Sequence, residues 1–66
     1  MNWFDAMKYL GDGEKVFSSR LPDGSYIVSC TKYEGGLKLV QRNGSIEPWR
    51  PSGADQLSES WELKDN

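Results

Sequence analysis

The sequence predicts a small α+β domain: a short N-terminal helix, an antiparallel β-meander, one C-terminal helical turn and a last short strand. Three observations carry this reading. Trp3, Ala6, Met7 and Leu10 recur at helical spacing, with a capping residue before them and glycines after. Between residues 15 and 47 the pattern changes to short β-branched and aromatic runs separated by turn dipeptides. The last third then passes through a proline-bracketed corner, a helix-capping signal and an alternating polar and apolar tail.

Asn2 is placed to cap the first helix, with Asp5 three residues on as its reciprocal partner. Trp3, Met7 and Leu10 fall at i, i+4 and i+7 with Ala6 beside them, a stripe that packs into a core or against another subunit. Gly11 and Gly13 end the helix, either one suiting a left-handed cap. Lys15 to Ser19 forms a first strand, and Pro22-Asp23-Gly24-Ser25 a tight turn. Tyr26 to Tyr33 is the clearest strand, with Tyr26, Val28 and Cys30 on one face and Ile27, Ser29 and Thr31 on the other. Gly35-Gly36 closes it, Leu37 to Gln41 follows, and Asn43-Gly44 predicts a type I′ hairpin turn into Ser45-Ile46-Glu47. Pro48 and Pro51 bracket Trp49 and Arg50 and hold the backbone extended. Ser52 reads as a helix N-cap with Asp55 at the third helical position, and Ala54 and Leu57 as the buried side of one turn. Ser60-Trp61-Glu62-Leu63 alternates as a terminal strand.

At 66 residues the chain, 1–66, reads as one domain. A domain of this size buries only about 60% of the surface its unfolded chain exposes, and its core supplies roughly 3–5 kcal/mol. One cysteine and no histidine exclude an internal disulfide or a zinc cluster, so oligomerisation is the expected reinforcement. The lone cysteine suits a reducing compartment. The start of the chain lacks the basic-then-apolar pattern of a signal peptide, and no run nears the roughly 20 apolar residues of a membrane span. A cytoplasmic protein without a membrane partner is the expectation. Eight basic against ten acidic residues, a net charge of −2, argue against a nucleic-acid polymer as partner. A small anion needs only a few local donors, so that ligand class stays open.

Without histidine, Ser-His and Cys-His nucleophiles are excluded. Cys30 reads as a small buried hydrophobe. Asp12 with Glu14, and Glu59 with Glu62, read as solvated charge, as does Arg42. Gly11-Asp12-Gly13 follows a helix rather than a strand and lacks the Lys-Ser/Thr of a phosphate loop. No enzyme, metal or cofactor is expected. Binding fits better: Trp49, held by its prolines, makes a stacking platform, or else a core or interface tryptophan. Arg50 and Arg20 suit bidentate phosphate contacts. Ser52 opens a helix end whose N–H groups suit an anion, and Asp55 suits a ribose hydroxyl or a base edge; capping is the ordinary duty of both. Trp61 reads as packing.

The run Pro48-Trp49-x-Pro51-Ser52-x-x-Asp55-x-Leu57-x-x-x-Trp61 resembles the C-terminal signature of the Thoeris anti-defense 2 family, small phage-encoded sponge proteins. Phe4-Asp5-Ala6-Met7-Lys8-Tyr9-Leu10 followed by Gly13-Glu14-Lys15-Val16 is similar, more loosely, to the family's opening helix and its Gly-x-x-Val entry into the first strand. The two matches cover both ends of the chain in the family's order. Where family members often carry Arg-x-x-Trp, this chain departs with Arg20-Leu21-Pro22-Asp23. The resemblance implies a homotetramer in the cytoplasm of an infected bacterium, with pockets between subunits. It implies capture, without cleavage, of a cyclic nucleotide immune signal: glycocyclic ADP-ribose or a cyclic di- or trinucleotide. The residues alone leave a second function open, an interaction protein docking on a host protein through an aromatic surface.

Overall fold

The computed structural model describes residues 1–65. Helix α1 (Trp3–Gly11) leads into strand β1 (Val16–Phe17), and β2 (Tyr26–Ser29), β3 (Leu37–Val40) and β4 (Ile46–Pro48) follow as a meander. Helix α2 (Gly53–Leu57) then carries the chain back to β5 (Glu62–Leu63), which pairs with β1. The sheet order is β4-β3-β2-β1-β5, with every pair antiparallel. The α+β architecture is the one the sequence predicts.

Register explains which sheet face is covered. Val16 lies opposite Ile27, and Ile27 opposite Leu39, so the three form one row across β1, β2 and β3. All three are buried, packed with Trp3, Ala6 and Leu10 of α1 and with Trp61. Burying one such aliphatic side chain is worth about 1.5–3 kcal/mol. The row continues to Leu63 at one sheet edge and Glu47 at the other, and both are exposed. The alternate residues Phe17, Tyr26, Val28 and Val40 face the other side, where no helix lies, and are half-buried.

The helix ends follow sequence chemistry. Asn2 Oδ1 accepts the Asp5 N–H at 2.9 Å. At the other end the Glu14 N–H donates to Tyr9 O and the Gly13 N–H to Leu10 O, both at 3.0 Å, with Gly13 at φ +86°. That is a Schellman motif around the left-handed glycine. Trp3, Ala6 and Leu10 are buried as expected, but Met7 is 52% exposed. The sheet under α1 is narrow, and the stripe is wider than the surface available to cover it.

Two sheet expectations are corrected. The strand from Tyr26 stops at Ser29, not Tyr33. Its partner β3 begins at Leu37 opposite Ser29, and residues beyond that point have no strand to pair with. The Cys30 N–H makes one more bond, to Gly36 O, before the chain turns, and Cys30 is half-buried rather than fully buried. The hairpin at Asn43-Gly44 is not a type I′ turn, because no non-glycine residue among those described, Asn43 included, has positive φ. Gly44 N–H donates to Gln41 O at 2.9 Å and Gln41 N–H to Ser45 O at 2.8 Å, with Gly44 at φ +91°. This is a three-residue loop, a turn followed by a left-handed glycine. The Asn43 side chain accepts the Ser45 N–H instead of its backbone entering the left-handed region.

Candidate functional site

The five residues singled out for ligand contact divide into two groups. Arg20, Ser52 and Asp55 meet one another, while Trp49 joins the tryptophan cluster and Arg50 lies against Glu34 and Gly35.

Asp55 is the centre of the first group. Ser52 caps α2, its Oγ accepting the Asp55 N–H at 3.1 Å, and Asp55 Oδ2 accepts the Ser52 N–H at 2.8 Å. The Ser52 hydroxyl also lies 2.9 Å from the same carboxylate oxygen. The second oxygen, Oδ1, accepts the Arg20 Nε–H at 2.9 Å across 35 positions of chain. The main-chain oxygen of Asp55 accepts the Trp61 indole N–H at 2.9 Å. Burial is the largest influence on the Asp55 carboxyl and would raise its pKa. The Ser52 N–H, the Arg20 guanidinium and the Ser52 hydroxyl together outweigh it and hold the pKa below the ordinary aspartate value.

This arrangement reverses the expected facing of α2. Asp55 is buried, whereas Ala54 is exposed and Leu57 is 84% exposed. One turn of helix has too few positions for its apolar residues to set its orientation. The capping box, the indole bond and Arg20 set it instead, and a buried carboxylate is tolerated because its oxygens are bonded. The anion at this helix end is therefore the chain's own. Arg20 keeps its two terminal nitrogens unpartnered among the described residues, and its side chain is 47% exposed.

Trp49 belongs to the core edge. Its ring centroid lies 5.9 Å from Trp3 and 6.0 Å from Trp61, and Trp3 and Trp61 are 4.9 Å apart. Three distant parts of the chain thus supply one aromatic cluster with tilted and edge-on rings, the arrangement aromatic quadrupoles favour. Trp61 is fully buried, whereas Trp49 keeps part of its surface in solvent. Arg50 turns away from Asp55. Its Nη2 is 3.5 Å from Glu34 Oε2, both side chains being exposed, and its methylenes lie against Gly35. Gly35 is also one wall of an open, mostly apolar groove of about 210 Å³ whose other walls include Trp3, Met7, Leu10 and Leu37.

Among the described residues no cluster of Cys, His, Asp and Glu has the geometry to hold a metal. Nor is any helix among the described residues long and apolar enough to cross a membrane. Asp12, Glu14, Glu59 and Glu62 are exposed. Arg42 is exposed too, with a 3.3 Å contact to the equally open Asp23. Among the concavities that the sequence reading did not foresee is a cleft of about 430 Å³ between residues 17–25 and Lys64, lined by Ser18, Ser19 and Ser25. Nothing in the spacing of three serines in a loop distinguishes them from ordinary turn residues, so only the fold reveals that they converge. No protein-family model matches the chain, and no curated protein matches it in sequence. The likeness to the Thoeris anti-defense 2 family rests on the two motifs quoted above.

Proposed function

We propose that this protein is a sponge that binds a cyclic nucleotide immune signal and holds it without cleavage, as a homo-oligomer. The observation that carries the reading is the groove walled by Trp3 and Gly35, with the Arg50 side chain against that glycine. Trp3 forms one wall, the partly exposed Trp49 packs on Trp3, and Arg50 lies over Gly35. A π surface beside an arginine suits a base next to a phosphate. At about 210 Å³ the groove is smaller than the roughly 300–1,000 Å³ of typical small-molecule pockets. A second copy would complete it, in keeping with the resemblance, which implies a tetramer with pockets between subunits.

Under this reading Trp49 and Arg50 touch the ligand. Arg20, with its free terminal nitrogens, is available for a phosphate, while Ser52 and Asp55 keep Arg20 and α2 in place. The rival reading, docking on a host protein, draws on the outer face of α1, where Phe4 is 67% and Met7 52% exposed.

Calorimetric titration with cyclic ADP-ribose isomers and cyclic di- and trinucleotides, with mass measured by light scattering, separates the two. Binding of one panel member to an oligomer, and its recovery intact after heat denaturation, supports the sponge. A processed product would point to an enzyme. A stable monomer at micromolar concentration that binds no panel member would overturn the sponge and leave docking.

A further inference from the structure

We infer that the cleft between the β1–β2 connection and Lys64 is a separate binding site for an oxyanion, a phosphoryl group being its best fit. The argument begins with two buried hydroxyls. Ser25 is 4% exposed, its N–H donates to Pro22 O at 3.0 Å, and its Oγ is buried without a hydrogen-bond partner among the described residues. Ser18 is also 4% exposed; its Oγ accepts the Arg20 N–H at 3.2 Å, and its own proton has no acceptor among the described residues. Both residues line the same cleft. A hydroxyl left unpaired by folding is unfavourable, and both of these lack an acceptor for their proton. Each proton therefore lacks an acceptor, which the oxygens of one anionic group would supply.

The charges around the cleft give that partner its sign. Lys64 lines the cleft, with its ammonium 5.4 Å from the centre of the Tyr26 ring. Lys15 approaches the same ring to 5.2 Å, and the Lys64 N–H bonds to Lys15 O, so both lysines stand at one end of the sheet. The one carboxylate in the lining, Asp23, is almost wholly in solvent and faces Arg42. Phe17 and Leu21 supply an apolar wall. The volume, about 430 Å³, lies within the roughly 300–1,000 Å³ of small-molecule sites. A small molecule whose oxyanion meets Ser18, Ser25 and Lys64, with its organic body against Phe17 and Leu21, satisfies each feature. The site uses neither Trp49 nor Arg50, so it stands independently of the sponge reading.

The test is a titration of the whole chain with inorganic phosphate and with phenyl phosphate, followed by backbone amide NMR shifts. The expected result is saturable movement of the Ser18, Ser25 and Lys64 amides. Tighter binding of phenyl phosphate assigns the site to a phosphoryl group on an organic body, and equal binding assigns it to the free anion. Ser25→Ala and Lys64→Gln should each weaken binding roughly tenfold or more, the lysine variant also losing the salt dependence. Ser25→Ala should keep or raise the melting temperature, because it removes a hydroxyl that folding leaves unpaired. Lys32→Gln, which deletes an equal charge on an exposed loop, should leave the titration unchanged. Absence of saturation in the millimolar range, or identical titrations for the parent chain and Ser25→Ala, would overturn the site and leave an ordinary buried water as the hydroxyl's partner.

Discussion

Two stretches only a few residues apart, Trp49-Arg50 and Ser52-Asp55, use similar chemistry in opposite ways. At Asp55 every polar group is committed: two carboxylate oxygens to Ser52 and Arg20, the main-chain oxygen to the Trp61 indole. At Arg50 the guanidinium holds, among the described residues, a 3.5 Å contact to an exposed carboxylate, and the neighbouring indole is half-buried. Surface pairs of that kind contribute about 0–1 kcal/mol. The lesson is that a charged residue in a binding motif becomes available to a ligand only when the fold leaves it unpaired or in a weak, solvent-exposed pair. By that criterion Arg50 and Trp49 form the open end of the motif, and Asp55 is its internal fastening.

The most severe way to break the fastening is Trp61→Ala. It removes a fully buried indole at about 3–5 kcal/mol, comparable with the roughly 3–5 kcal/mol a core of this size supplies. Denaturant titration should find this variant unfolded, and a cooperative transition near that of the parent chain would contradict the assigned role. Asp55→Ala comes next. It removes a cap worth about 0.5–2 kcal/mol and a hydrogen bond to a charged group worth about 1.5–3 kcal/mol at most. Arg20 is nearly half exposed, so solvent screens part of that second amount and the expected loss is about 2–3 kcal/mol. Arg20→Ala should cost less than Asp55→Ala, because the capping box survives it.

Acid probes the same fastening without mutation. The folded-state pKa of Asp55 lies below its unfolded value of about 3.9. In that interval the unfolded chain binds more protons, so stability falls as pH falls. The contribution is complete above about pH 4 and is lost as pH drops through the folded pKa. Asp55→Asn should flatten this part of the stability profile, and equal acid sensitivity of variant and parent would assign the effect to other carboxylates.

The smallest stability effects belong to the open end. Arg50→Ala should change unfolding free energy by less than about 1 kcal/mol while weakening nucleotide binding in a salt-dependent way. Trp49→Ala should reduce nucleotide affinity by about 1–3 kcal/mol and also cost some core packing, so its melting temperature must be measured beside its affinity. If Arg50→Ala destabilised the chain as much as Asp55→Ala, the contrast between the two stretches would fail.

The elements themselves were legible because they depend on local chemistry. Asn2 and Ser52 cap where a side-chain oxygen meets early helical N–H groups, and glycines stand where the backbone turns left-handed. Strands β1 to β4 lie where β-branched and aromatic residues stand between turns, and β5 lies in the alternating polar and apolar tail. What depends on pairing was not legible: Tyr26 onward reads as strand to Tyr33, but a strand ends where its neighbour does, at Ser29 opposite Leu37. The facing of α2 likewise came from outside the helix, from Trp61 just beyond it and from Arg20, 35 positions away, both of which bond to Asp55. The same distance hid the convergence of Ser18, Ser25 and Lys64 in one cleft and the meeting of Trp3, Trp49 and Trp61 in one cluster. Caps and the positions of turns are decided within a few residues of chain, so the sequence alone determined them, though not the turn type at Asn43-Gly44. Strand ends, helix facing and sites are decided by groups that meet only after the chain has closed on itself, so they belong to the tertiary structure.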